Sequence, residues 1–452
     1  MGLGARFTRR TLLGTAGGLA AVTVPGLATP VQAAGTPRPN VLWIITDDQM
    51  RSTLPHMPQV GRRLIGRGTR FKSGYAAVPL CGPARASMLS GWYPHNHGCL
   101  SNQTHRPFVD GGHDQDTVAT RMKTTGYETG YFGKYMNGME ADQTYIAPGW
   151  DRWVNRVTDH VFCVDGLLKS VPQVDRFSAA RCRDFVETRA SVPWFAVFAP
   201  RNPHTGTKFE PSAEHAHDFD GVQWNPPALN EADMTDKPPF MQDLELQRRN
   251  KMRAVWEGKL EELQDTDDQV EQILGALAAT NQLSRTLVFF VSDNGYMLGE
   301  HRMHAKGKAF EESAGIPFVV KGPGVTAGVD GTLVSQVDLM PTTLAAAGLD
   351  PDAGRVLDGR SMLGPLTSGD WSGWRRRMLV EHPKNGWAML REGDLSFIDH
   401  HQLGQQELYD LATDPHQMRS TARGTDTRAL TARLTAMRTA TGMGLRQLEA
   451  AP

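Results

Sequence analysis

Val41-Leu42-Trp43-Ile44-Ile45 is an unbroken apolar run that ends abruptly in Thr46-Asp47-Asp48-Gln49. Five apolar side chains in succession leave neither face of a strand to water, so the run predicts a strand buried on both faces. Runs of the same kind recur at residues 129–132, 194–199, 286–291 and 316–320. Segments with apolar residues at helical spacing lie between them, at 58–67, 117–125, 174–189 and 245–280. This alternation places the chain in the α/β class, with a mainly parallel central sheet flanked by helices.

The pattern lapses between residues 204 and 248, a polar stretch broken by Pro211, Pro226, Pro227, Pro238 and Pro239. Loops of that length are usually functional or disordered. After a helix expected around Met340-Pro341-Thr342-Thr343-Leu344, a Gly/Asp-rich connection leads to Trp371-Ser372-Gly373-Trp374, where a large domain, 35–372, is expected to end. Strand-like pieces at 377–381, 387–391 and 395–399, then a helix at 427–443, predict a smaller C-terminal α+β domain, 373–452, of antiparallel sheet plus helix. At the other end Arg9-Arg10 precede a weakly apolar stretch that runs to Val31-Gln32-Ala33-Ala34. Basic, apolar and small residues in that order read 1–34 as a twin-arginine signal peptide, served by the twin-arginine export machinery and leaving a secreted or extracytoplasmic mature chain. Gly17, Gly18, Pro25 and Pro30 make the stretch a poor spanning helix, so no stable membrane anchor is expected.

Lys and Arg total 48 against 49 for Asp and Glu, a net charge of −1, so there is no electrostatic case for nucleic acid or an anionic membrane as partner. Any anion must be gripped locally. Four cysteines in 452 residues are too few for a disulfide framework. Cys163 and Cys182 are open to pairing in an oxidising compartment, Cys99 reads as a buried thiol, and Cys81 alone has chemical context.

Ligands in open α/β sheets bind beyond the carboxyl ends of the strands. The first run ends in Asp47-Asp48, and the run at 286–291 ends in Ser292-Asp293-Asn294-Gly295. If those strands are neighbours, three carboxylates and an amide oxygen meet, a hard-oxygen set that suits Ca²⁺ or Mg²⁺ and argues against zinc. Cys81-Gly82-Pro83-Ala84-Arg85 opens a predicted helix, with Pro near its start and Gly91 after its end. Cys81 then sits at a helix N-terminus, where free N–H groups favour an anionic nucleophile and an oxyanion substrate. A tyrosine-phosphatase-like thiol loop needs Arg six residues after Cys, and that position is Ser87.

Cys81-Gly82-Pro83-Ala84-Arg85 followed by Ala86-Ser87-Met88-Leu89-Ser90-Gly91 resembles the signature of type I sulfatases, in which the cysteine is oxidised to formylglycine by a separate maturation enzyme. Other elements of that family recur in order across roughly 38 to 420: Asp47-Asp48, Gly133-Lys134, Asn202-Pro203-His204, Asp293-Asn294-Gly295, Lys306 five residues before Glu311, and Glu407-Leu408-Tyr409-Asp410-Leu411 with Asp414-Pro415. The resemblance implies an alkaline-phosphatase-like core and a metal centre of Asp47, Asp48, Asp293 and Asn294 that also holds an oxygen of the modified residue 81. It implies Ca²⁺, where ligand chemistry alone permits Mg²⁺. A hydrated formylglycine would attack sulfur and later expel sulfate by re-forming its carbonyl. Arg85 would steady that diol, Lys134 and Lys306 would clamp sulfate oxygens, and His204 would protonate the leaving oxygen.

Lys308 is the alternative to Lys306, and His301 is a candidate pocket residue. Many sulfatases carry a His two residues after the Gly-Lys lysine, where this chain has Met136, which leaves the acceptor for the diol proton unassigned. Gly133-Lys134-Tyr135-Met136-Asn137-Gly138 resembles instead the branch that includes glucosamine-6-sulfatases, pointing to a sulfated sugar, with an aryl sulfate as the simpler substrate. Two rivals stand beside sulfate-monoester hydrolysis: a phosphonate or phosphate ester hydrolase of the same superfamily, and a secreted glycan-binding protein that has lost catalysis.

Overall fold

In the computed structural model of the chain, which describes Met1 and residues 38–204 and 209–451, the opening apolar run forms strand β1, Asn40–Thr46, with every residue buried. The strands that follow it are β2 (Thr69–Tyr75), β3 (Glu128–Gly133), β4 (Arg152–Arg156), β5 (Val161–Val164), β6 (Leu167–Ser170), β7 (Trp194–Ala199) and β8 (Thr286–Ser292). Next come β9 (Met297–Leu298), β10 (His304–Ala305), β11 (Phe318–Lys321) and β12 (Gly328–Ser335). All but β9 and β10, which pair with each other, belong to one ten-stranded sheet in the order β12-β2-β11-β8-β1-β7-β3-β4-β5-β6. Its centre, β8-β1-β7-β3-β4, is parallel throughout. β11 runs antiparallel between β8 and β2, and β5 and β6 fold back antiparallel at the other edge. The sheet is therefore mixed around a parallel core.

Alternation along β1 explains why the run has no polar residue. Val41, Trp43 and Ile45 face one apolar cluster, which includes Ala84 and Met88 of the helix Cys81–Ser90 and Leu344 of the helix Leu339–Ala346. Leu42 and Ile44 face a second cluster, with Phe185 of the helix Val174–Glu187 and Leu263 and Ile273 of the 31-residue helix Arg249–Ala279. A side chain of this size contributes about 1.5–3 kcal/mol when fully buried, which a two-sided strand collects at every position. Cys163 and Cys182 belong to these two opposite clusters, and all four cysteines are free thiols.

The predicted helix at 58–67 is shorter, Pro58–Arg63, because the chain tightens into a 3₁₀ turn at Ile65–Arg67. The expected C-terminal strands form β13 (Arg377–His382), β14 (Trp387–Glu392) and β15 (Leu395–His400), joined by β16 (Gln405–Asp410) in an antiparallel meander. The single helix expected at 427–443 is two, Arg428–Met437 and Gly442–Ala450, separated by a break in which Thr441 is extended and Gly442 adopts a φ of 51°. One face of the meander packs Val380, Trp387 and Tyr409 against Tyr75 and Phe310; the other packs Leu390 and Phe397 against Leu434 and Leu445. The polar stretch after His204 carries one short turn of helix among its described residues, Pro239–Gln242. The signal segment read at 1–34 lies, apart from Met1, outside the described residues, and no helix among the described residues is long and apolar enough to cross a membrane.

The meander is tied down by one buried cation. Arg375, just before β13, donates to both oxygens of Asp338 at 2.6 and 2.7 Å and to Glu449 of the last helix at 3.1 Å. All three side chains are inaccessible to water. Among the described residues, removing Arg375 leaves Asp338 with only the backbone N–H groups of Ser335 and Arg360, and Glu449 with only the Arg360 side chain at 3.3 Å, so buried negative charge is left under-compensated. Arg375→Ala is expected to lower the free energy of unfolding by about 3–5 kcal/mol, measured by urea titration; a loss under about 1 kcal/mol would show the network to be dispensable.

Candidate active site

β1 and β8 are parallel neighbours in register, Thr46 opposite Ser292, so the segments leaving them emerge side by side. Asp47-Asp48 and Asp293-Asn294 are thereby brought together. The turn is fixed by Asp48 N–H donating to Asp293 Oδ1 at 3.1 Å and Gln49 N–H donating to Ser292 Oγ at 3.0 Å. Gln336 donates to the carbonyls of both Ser292 and Asp293, which holds the second segment. Asp48 sits at a φ of 62°, a conformation that Asp tolerates better than most residues.

Cys81 begins the helix Cys81–Ser90, whose ten residues are all buried and which ends at Gly91 with a left-handed φ of 69°. No side chain caps its start, but Gly82 N–H donates to Asn102 Oδ1 at 3.0 Å. Gly82 is required there: a Cβ would stand 2.0 Å from Thr104 Oγ1. The thiol of Cys81 lies 3.3 Å from Asp47 Oδ1 and 3.7 Å from Asp48 Oδ1. One turn on, Arg85 returns to the cluster, pairing with Asp293 Oδ2 at 2.9 Å and donating to the carbonyl of Lys134.

Lys134 follows Gly133 at the end of β3. A Cβ on Gly133 would fall 1.9 Å from the carbonyl oxygen of Ala199, the same oxygen that accepts from Lys134 N–H at 2.8 Å. Glycine is needed for that close approach between β3 and β7, and it delivers the Lys134 ammonium to Asp47 Oδ2. Lys306, after β10, donates to Asp48 Oδ1 at 2.6 Å and reaches Cys81 Sγ. Glu311, five residues on, accepts from Tyr75 Oη and Arg51, which anchors this loop to β2. His204, beyond β7, places Nε2 3.8 Å from Asp48 Oδ2. Cys81, Asp47, Asp48 and His204 each offer a donor atom within 4.8 Å of the others. His204 is the most open of the set, with its side chain 29% exposed, and Lys306 is next at 15%, so the site faces solvent between them.

The electrostatics are those of an anion trap with a negative floor. Burial raises Asp47, but Lys134, His204, Arg85 and Lys306 outweigh it and hold that carboxyl well below the usual range. Burial and Asp47 push Asp293 the other way, up to about 6, against Arg85 and Lys134. Burial, with Asp293 and Asp47, drives the Cys81 thiol well above its ordinary value despite the two lysines. Cys81 therefore stays a thiol here, contrary to what a helix N-terminus alone would give. Burial pulls His204 down to about 4 despite Asp47 and Asp48.

Every residue proposed from the sequence for chemistry converges on this cluster. His301 does not: it is buried, bonds Glu231 Oε2 through Nδ1 at 2.6 Å and stacks on Phe310 with ring centroids 4.1 Å apart. Lys306, not Lys308, carries the ammonium at the site. Met136 is buried, and the acceptor that contacts Cys81 most closely is Asp47 Oδ1. Sequence reasoning missed Lys259, a wholly buried lysine on the long helix, because its spacing matches an ordinary helix face.

The sulfatase family model matches residues 39–349, and a model for the C-terminal part of N-sulphoglucosamine sulphohydrolase matches 299–441. A Sulf-1 homolog of Caenorhabditis elegans is 31% identical over 355 residues, which is 72% of this chain. The chain spans about half of that relative's length, 48%. Human N-acetylglucosamine-6-sulfatase is 29% identical over 387 residues, covering 78% of this chain and 69% of the human protein. A structure solved in complex with its substrate, D-glucosamine-2-N,6-O-disulfate, superposes with a TM-score of 0.75 over 88% of this chain and 96% of the other, at 20% identity, a likeness of fold. With the sulfatase model matched across residues 39–349, the chain belongs to the sulfatase family.

Proposed function

We propose that this chain hydrolyses the sulfate monoester of a sugar, of the N-acetylglucosamine-6-sulfate kind, through formylglycine made from Cys81 and a Ca²⁺ held by Asp47, Asp48, Asp293 and Asn294. The observation that carries the reading is the convergence on the Cys81 sulfur of Asp47, Asp48 and Lys306, delivered by strand ends far apart in sequence. The long relative in Caenorhabditis elegans and the human N-acetylglucosamine-6-sulfatase support the activity and the substrate class.

The residues present fit the metal. Asp48 Oδ2 and Asn294 Oδ1 are buried oxygen atoms with no hydrogen-bond partner among the described residues. An unmet buried acceptor costs about 1–3 kcal/mol, and a hard divalent cation would satisfy both. When bound, the ion would neutralise the three carboxylates and draw electron density from an oxygen of residue 81. The modification, once hydrated, would supply two geminal hydroxyls at residue 81, one to act as the nucleophile toward sulfur and one whose proton loss would drive release of sulfate.

The chain's own residues do the rest. Arg85, fixed by Asp293, holds residue 81 in place. Lys134 and Lys306 present ammonium groups to the sulfate oxygens as negative charge moves toward the leaving group. His204, at the open rim, is within reach of the leaving oxygen, and the negative charge of a bound sulfate ester raises its proton affinity from the low value burial imposes. Asp47 Oδ1, beside Cys81, takes the acceptor position that Met136 leaves unfilled. Residues 35–372 are read as the catalytic domain and 373–452 as a smaller C-terminal one. The 1–34 segment is read as a twin-arginine export signal, and a formylglycine-generating enzyme as the partner that matures Cys81.

Mass spectrometry of the tryptic peptide containing residue 81 is expected to show sulfur replaced by an aldehyde oxygen in the native host, and Cys81→Ser to abolish turnover there; an unmodified thiol in an active enzyme sinks the mechanism. Exhaustive chelation is expected to remove activity and lower the thermal midpoint, with Ca²⁺ restoring both; indifference to chelation removes the metal. His204→Ala is expected to slow a sugar sulfate by about 100-fold or more while slowing 4-nitrophenyl sulfate much less, since a good leaving group needs no proton. Equal losses on the two substrates would show that His204 is not the acid.

A further inference from the structure

Lys259 is 0% exposed, and its side chain crosses from the long helix Arg249–Ala279 to the back of the site. Its ammonium donates to the carbonyl oxygen of Pro203 at 2.7 Å and to that of Asp48 at 3.1 Å, and stands 4.2 Å from the ring centroid of Tyr296. These three contacts fall on three different segments. Asp48 lies on the turn after β1, Pro203 immediately precedes His204 after β7, and Tyr296 lies two residues beyond Asn294 after β8. β8, β1 and β7 are adjacent strands, so one cation underlies the three loops on which the site depends.

A buried ammonium costs several kcal/mol in lost hydration unless its donors are met, and nothing in the packing of a helix against a sheet requires one. A methionine or leucine would fill the same space at lower cost. The two carbonyls explain its presence: both belong to turns that leave the sheet, where no ladder partner exists for them. Asn202, next to Pro203, is held to the same helix by its side-chain amide, which donates to Glu262 O at 3.1 Å. The loop bearing His204 is thus registered against the helix, and Lys259 registers the metal-binding turn against that loop.

We infer that Lys259 is a positioning residue that sets the separation between the Asp47-Asp48 turn and the His204 loop, with Tyr296 as its third anchor. It touches neither substrate nor metal and acts through Asp48 and His204. The inference rests on the metal-assisted reading of the site. Misplacement of a catalytic group by about 1 Å costs on the order of 100-fold in rate.

The test uses the full-length matured enzyme. Wild-type protein is first titrated with Ca²⁺ alone by thermal shift and assayed with 4-nitrophenyl sulfate and a glucosamine 6-sulfate; failure here overturns the functional reading and not the role of Lys259. In Lys259→Met, the half-saturating Ca²⁺ concentration in the thermal-shift titration is expected to rise by about 10-fold or more. At saturating Ca²⁺, kcat on the sugar sulfate is expected to fall by about 10- to 100-fold with KM little changed. In a His204→Ala background the same substitution is expected to cost much less in kcat, because the group it aims is gone. A lowered melting temperature with Ca²⁺ half-saturation and kcat unchanged overturns the inference, as does an undiminished loss in the His204→Ala background. Should Lys259→Met not fold, Tyr296→Leu keeps both carbonyl bonds and removes the third anchor; unchanged Ca²⁺ half-saturation and kcat in that variant overturn the inference equally.

Discussion

Three buried carboxylates, Asp47, Asp48 and Asp293, are held within hydrogen-bonding reach of one another's turns, and the rest of the site is organised to make that tolerable. Two like charges about 4 Å apart repel by roughly 4 kcal/mol at an effective dielectric of about 20. Arg85, Lys134 and Lys306 answer them at close range, each from a different element. The compensation is uneven. Asp47 is held strongly ionised by its neighbours, while Asp293 is pushed toward the protonated form by burial and by Asp47. The three cations match the three carboxylates in number, yet two buried oxygen atoms, Asp48 Oδ2 and Asn294 Oδ1, have no hydrogen-bond partner among the described residues. A divalent cation has the charge and the hardness to complete that set.

Bringing charged groups to one point demands a rigid frame, and the parallel core supplies it. β8, β1, β7 and β3 are buried neighbours whose carboxyl ends lie at one edge. Each strand end contributes a short polar segment: Asp293-Asn294, Asp47-Asp48, Asn202-Pro203-His204 and Gly133-Lys134. The helix Cys81–Ser90 packs on one face of the sheet and the helix Arg249–Ala279 on the other. The first delivers Cys81 and the second the buried Lys259, so the site is gripped from both faces.

Much of this was legible in the sequence, for a definite reason. Strands buried on both faces have no polar residues, so β1, β7 and β8 announce themselves, and the polar residues that follow them mark the site. β2, with Arg70, Lys72 and Ser73, and the exposed β6 carry no such signature, and neither was expected. The edges of the large sheet, where strands run antiparallel and meet water, were accordingly the least readable part of the fold. Among site residues, Lys134 and Cys81 carry a local pattern, because Gly133 before Lys134 lets the Ala199 backbone approach and Gly82 after Cys81 leaves room for the Thr104 side chain. Lys259 carries no local signature, since its partners are backbone carbonyls 211 and 56 positions away. His301, close in sequence to Lys306, is buried with a φ of 51° and pairs through Nδ1 with Glu231.

The burial of Cys81 bears on the maturation proposed for it. The proposed oxidation by a second enzyme would need the thiol within reach, yet in the folded chain Cys81 is wholly inaccessible and its helix is buried along its full length. The groups that enclose the sulfur include Lys306, 225 residues further along the chain, and the helix is packed against Leu339 to Leu344 through the same apolar cluster. None of that cover exists while only the first part of the chain has formed. On the proposed reading, the interval between exposure of the Cys81 segment and completion of β8 and the Lys306 loop is the window in which modification would proceed without unfolding the core. The same enclosure that keeps Cys81 protonated and unreactive as a thiol would then protect an aldehyde formed there from adventitious amines, leaving the gap between His204 and Lys306 as its route to solvent and substrate.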